Sequence, residues 1–213
     1  MRISKRYLCI AVSAAALLLI PRPAHALFEL KGGFTALVSS PSALNTYVGS
    51  SGPQVGTQQG LTVDALVKPI GLPFGLGVRY EAFSQKSGDG TTATGGMEST
   101  FTRMSVIVNH RFIDTGVYVG PILTVGVTND LEYKLTRLSA LTTYKTGGQI
   151  NGSIGVEGGF KLGVLRLGAE LGYLYGPLGR LKTKGGPDVI FNGSTVDVDY
   201  SGPYARVIAG FGF

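Results

Sequence analysis

The sequence has little cysteine, little histidine and no late run of apolar residues. Its one cysteine, Cys9, falls inside the leader described next, so the chain that remains can build neither a disulfide nor a cysteine metal site. Of its two histidines, His25 lies in the same leader, and only His110 remains for acid–base chemistry. The longest apolar run, from Leu8 to Ile20, is 13 residues. A membrane-crossing helix needs about 20.

That run sits between Arg2, Lys5 and Arg6 on one side and Pro21-Arg22-Pro23 followed by Ala24-His25-Ala26 on the other. A basic start, a short apolar stretch and an Ala-x-Ala site make a secretory signal peptide, with cleavage expected after Ala26. Residues 1–26 are then the signal peptide and 27–213 a single domain. Four of the 19 basic residues leave with the signal and none of the 13 acidic ones, so the net charge falls from +6 to +2. A nucleic-acid partner loses its electrostatic support.

What remains is glycine set among alternating apolar residues. A period of two recurs eight times, in stretches near 28–38, 60–69, 73–85, 98–112, 116–128, 149–161, 164–175 and 198–213. The connections alternate short, at about 70–72, 113–115 and 162–163, and long, at about 39–59, 86–97, 129–148 and 176–197. The expected fold is all-β: an eight-stranded antiparallel up-and-down barrel that crosses a membrane, because open sheet edges cannot be satisfied in lipid. One face of the strands carries Val106, Leu123 and Val156 for the lipid. The opposite face carries glycine and charge. Phe28, Phe74, Phe112, Phe160 and Phe213 gather at the short-turn end as an aromatic girdle.

The last strand ends Ala205-x-Val207-x-Ala209-x-Phe211-x-Phe213. This pattern resembles the terminal signal read by the outer-membrane assembly machinery. With eight strands and a signal peptide, the chain resembles the small outer-membrane barrels: the OmpA transmembrane domain, the OmpX and opacity-protein type, and outer membrane protein W. The resemblance implies the outer membrane of a Gram-negative bacterium, a lipid and lipopolysaccharide environment, and periplasmic chaperones and the assembly machinery as partners during biogenesis. A peptidoglycan-binding domain after the last strand is not expected.

Some barrels of this kind are lipid-modifying enzymes that pair a histidine with a serine in the outer leaflet. His110 falls near the short-turn end of its strand, the wrong rim for that chemistry. No metal or cofactor is expected: Asp188, Asp197 and Asp199 lack calcium-loop spacing. The inward charges Asp64, Arg79, Glu81, Arg103, Glu157, Arg166, Glu170 and Arg206 are expected to pair across a lumen about wide enough for its side chains. A register pairing residue 157 with 168 sets Arg166 and Glu170 diagonal to Glu157. The function read from these features is non-enzymatic, structural or surface-interacting through the loops. A narrow pore or hydrophobic-solute channel like outer membrane protein W is the alternative. Removing Glu170 or Arg206 is expected to open the plug, and shortening loop one (about 39–59) or loop four (about 176–197), the first and last of the long connections, to leave stability nearly unchanged.

Overall fold

The computed structural model describes residues 28–49, 52–69, 72, 74–88, 95–138 and 140–213. Ala24, Ala26 and the rest of the leader lie outside the described residues. Eight long strands follow one another: β1 (Phe28–Val38), β2 (Thr57–Val67), β3 (Phe74–Ser87), β4 (Gly96–His110), β5 (Val117–Arg137), β6 (Gly152–Leu162), β7 (Leu165–Tyr175) and β8 (Gly202–Gly212). Each pairs antiparallel with the next, and β1 pairs with β8, which closes the sheet into a barrel. Closure leaves no free edge, the condition for β-structure in hydrocarbon. Phe28 and Phe213 fasten the seam by exchanging backbone hydrogen bonds at 2.9 and 3.1 Å.

Alternation decides which face is which. In β8 every second residue is exposed and every other one buried. The exposed set is apolar: Leu61 and Val63 on β2, Val106 on β4, Leu123 on β5, Val156 on β6 and Val207 on β8 are between 46% and 69% exposed. A chain that leaves this much aliphatic surface uncovered all round its waist has lipid as its outer solvent. Phe28, Phe112, Phe160 and Phe213 are exposed at the short-turn end. Phe74, at the start of β3, is half-buried.

The shortest turn is between β6 and β7, where Leu162 pairs with Leu165 and Gly163 takes φ +63°. That left-handed conformation suits glycine. The two-residue turn corrects the expected register: Glu157 faces Glu170, not residue 168.

The other end of the barrel is built unequally. β5 runs 21 residues, and its outer part, Asp130–Arg137, leaves β6 to form a hairpin with Ala140–Gly147. Loop one contains a helix the alternation did not reveal, α1 (Ser42–Val48), ended by Gly49 at φ +88°. Loop four folds into small β-ladders, Pro177–Arg180 with Asp197–Asp199 and Ile190–Phe191 with Ser194–Thr195.

Candidate functional site: a lumen in two tiers and its cap

From the short-turn end to mid-depth the lumen holds a continuous column of ion pairs. In the turn after β4, Asp114 lies 2.5 Å from Lys161, 3.3 Å from Lys68 and 3.4 Å from Arg111. Burial pushes the Asp114 carboxyl up, but Lys161, Lys68 and Arg111 outweigh it and hold the carboxyl below its ordinary range. Arg111 grips Glu29 with both terminal nitrogens, at 2.6 and 2.7 Å, and comes within 3.4 Å of Glu157. Lys31 donates to Glu157 at 2.6 Å and approaches Asp64 at 3.8 Å.

Arg79 occupies the centre. Its Nε and Nη2 donate to Asp64 at 2.7 and 2.9 Å, and its Nη1 and Nη2 to Glu170 at 3.0 and 2.8 Å. Arg206 donates to Glu170 at 3.0 Å, to Glu81 at 2.6 Å and to Thr35 at 2.9 Å. Arg103 lies 3.4 Å from Glu81 and donates to the Thr124 hydroxyl. Forked guanidinium–carboxylate pairs satisfy the donors that burial takes from water. Glycine makes the room: a Cβ on Gly172 or Gly155, on adjacent strands, would come within 2.6 or 2.9 Å of the Tyr204 hydroxyl, which itself donates to Glu170 at 2.6 Å.

The structure thus joins Asp64, Arg79, Glu81, Arg103, Glu157, Glu170 and Arg206 in one network, and extends it through Glu29, Lys31, Lys68, Arg111, Asp114 and Lys161. These additional charges sit on the same inward alternation of their strands or in the short turns, which is the signal that marks them. Arg166 is a correction. It is buried at the short-turn end and donates to the backbone carbonyls of Gly163 and Leu165. The shifted register turns it away from Glu157, and no carboxylate of the described residues lies within ion-pair distance of it.

Above Arg103 the lumen changes character. Leu37, Phe83, Phe101, Leu131, Tyr133 and Leu174 point inward from the outer parts of the strands and are buried. The loops complete this tier: Leu44 and Val48 from α1, Val55, Tyr144, and Leu178, Leu181, Val189, Val196, Val198 and Tyr200 from loop four. Phe101 packs on Phe83 and Tyr200 at 5.8 and 5.4 Å between ring centres. Burial pushes the Tyr200 hydroxyl up to about 12, against the hydrogen bond it shares with Ser99. Tyr47 of α1 stands edge-on to both Tyr144 and Phe191 and shares a 3.0 Å hydrogen bond with the Tyr144 hydroxyl. Asn45 ties α1 to Val55 through two bonds of 2.8 and 2.9 Å. Loops one, three and four are therefore one packed cap, and this shared core speaks against the expectation that loop one or loop four can be shortened with stability nearly unchanged.

His110 ends β4 at the short-turn rim, edge-on to Phe112 at 4.9 Å. Its strand alternation points outward, but aromatic packing leaves it only 9% exposed. No group of three or more potential metal-ligating side chains occurs among the described residues.

No family model matches the chain, and no curated protein is significantly similar to it in sequence. Solved structures are similar in fold. A major outer membrane protein from Thermus thermophilus has a TM-score of 0.55 at 16% identity, covering 89% of this chain and 100% of the other. Ail, the attachment invasion locus protein of Yersinia pestis, has 0.51 at 11%, again covering 89% and 100%. Ail in complex with the heparin analogue sucrose octasulfate has 0.50 at 10%, covering 87% and 97%.

Proposed function

We propose, from the premise that this chain has the fold of the small eight-stranded outer-membrane barrels, that it is a non-enzymatic outer-membrane protein which does not conduct and which acts through its extracellular face. One observation carries the reading: the lumen is filled twice, by an ion-pair column below and an apolar plug above, and the plug shares its core with the loops. A pore has no use for a cap packed into its own lumen. A surface-interaction protein does, because packing fixes the shape of what the loops present. Structural neighbours named as a major outer membrane protein and an attachment protein are in keeping with this.

The leader with Ala24 and Ala26 would deliver the chain to the periplasm, where chaperones and the assembly machinery would take it to the outer membrane. His110, packed on Phe112 at the inner rim, is badly placed for lipid chemistry in the outer leaflet. The test is twofold. The purified barrel in a planar bilayer should show no steady conductance, and cysteines placed at Gly185 and at Gly163 should label from outside intact cells and remain unlabelled, respectively. Stable wild-type channels would replace this reading with the narrow pore.

A further inference from the structure

The cap carries a groove of about 590 Å³ between the hairpin strand Ala140–Gly147 and loop four. Its walls are polar. Three bases, Lys145, Arg180 and Lys182, face three acids, Asp130, Asp188 and Asp197. Asp188 is already engaged, 3.2 Å from Arg180 and 3.8 Å from Lys182, and Lys145 pairs with Glu132 at 3.0 Å. Asp130, Asp197 and Gln149 are exposed, and their side chains have no hydrogen-bond or ion-pair partner among the described residues.

Their backbones are nevertheless fixed. Asp197 lies opposite Arg180 in the loop-four ladder, and Asp130 lies opposite Gly147 in the hairpin. The Gln149 carbonyl accepts from the Asn129 side chain at 2.6 Å. Gly185, at φ +73°, leaves the groove open down to the backbone, and the Gln149 side chain lies over Gly179. The groove thus holds unpaired acceptors beside ion-paired cations that keep spare N–H donors, with no net charge among its lining side chains.

We infer that this groove binds a neutral oligosaccharide, resting on the proposed surface role of the cap. Each sugar hydroxyl both donates and accepts, and so needs carboxylates and cationic or amide donors interleaved, as here. A polyanion would meet three carboxylates. An extended peptide would need a free strand edge, but Tyr144 and Lys145 already pair with Thr183 and Lys182 across the groove. A metal ion would need a cluster of ligands, and none occurs among the described residues. The sugar could belong to the cell's own surface polysaccharide or to a foreign one; the chemistry is the same.

The full barrel, reconstituted in lipid nanodiscs, is tested against three sets of probes: neutral oligosaccharides, sulfated oligosaccharides, and the delipidated polysaccharide of the expressing cell. Binding of neutral chains that survives raised ionic strength is expected. Asp197→Ala with Gln149→Ala should weaken it about tenfold or more, since each lost hydrogen bond to a charged or polar group leaves the sugar's hydroxyl unmatched. Arg180→Ala should act in the same direction, and Lys86→Ala, outside the groove, should not. All three substituted groove side chains are exposed, so folding, checked by circular dichroism, should be unaffected. Binding to the cell's own polysaccharide alone identifies that source, and binding to the soluble panel identifies a foreign one. Binding restricted to sulfated chains and abolished by salt overturns the inference, as does no sugar binding at all. Adhesion of whole cells that persists in the double variant overturns the groove and leaves the surface role standing. Loss of adhesion on removing the cap, with no sugar binding, does the same.

Discussion

Glu170 shows what a single side chain does in this lumen. It accepts from Arg79 at both oxygens, from Arg206 and from Tyr204, and it is fully buried. Replacing a buried pair by well-packed apolar groups is often neutral, but removing one partner strands the other charge. Glu170→Ala should therefore cost about 3–5 kcal/mol in urea unfolding from bilayers, while Glu98→Ala, in an exposed pair with Lys134, should cost about 0–1 kcal/mol. Asp114 adds a pH dependence. Its folded carboxyl lies below the unfolded value, so its contribution is fully present above the ordinary carboxylate range and is lost as pH falls through the lowered one. The stability difference between wild type and Asp114→Asn should shrink as the medium is acidified below about pH 4, the unfolded carboxyl range. A difference that grows on acidification would reverse the assignment. Inward charge could be read from alternation alone, because Asp64, Arg79 and Glu81 sit every second or matching place between lipid-facing aliphatics. Their partners could not, since pairing across a lumen depends on a register that one turn residue, Gly163, moves by two.

Among the elements, all eight strands were legible and α1 was not. Leu44 and Val48 are one helical turn apart, but seven residues are too few to establish a period. The outer apolar tier was hidden for a related reason. Where Leu37 lies between Ala36 and Val38, or Phe83 beside Ala82, both faces of the strand are apolar and the alternation fades. The hairpin extension of β5, by contrast, showed itself in the alternating run Leu131–Arg137. Two predictions belong here. Leu44→Ala should destabilise the barrel by about 2–5 kcal/mol, the range for a buried leucine, although it lies in a loop. Arginine at Val106, Leu123 or Val156 should cost about 2–4 kcal/mol in bilayers, and the same change at Gly116, exposed in a short turn where an added side chain meets nothing, little. If Leu44→Ala is silent, the cap is not part of the folding unit.

For the whole molecule, two tiers mean two independent seals. Glu170→Ala alone should destabilise without raising conductance, because the apolar tier above it stays shut. Combining it with deletion of residues 42–48 should expose the lumen, and conductance should appear only then. Current from Glu170→Ala by itself would show that the column is the sole barrier.

The shared core also sets an order of events. Leu37, Phe83, Phe101 and Leu174 lie in the cap's floor; Phe83 and Phe101 are cross-strand neighbours, but Leu174 joins Leu37 only once β1 has met β8. Leu44, Leu178 and Leu181 of loops one and four have their full set of core partners only in a finished cylinder. The cap is therefore the last part of the fold to mature, and on the proposed surface role its presence outside the cell would report that assembly inside the membrane is complete.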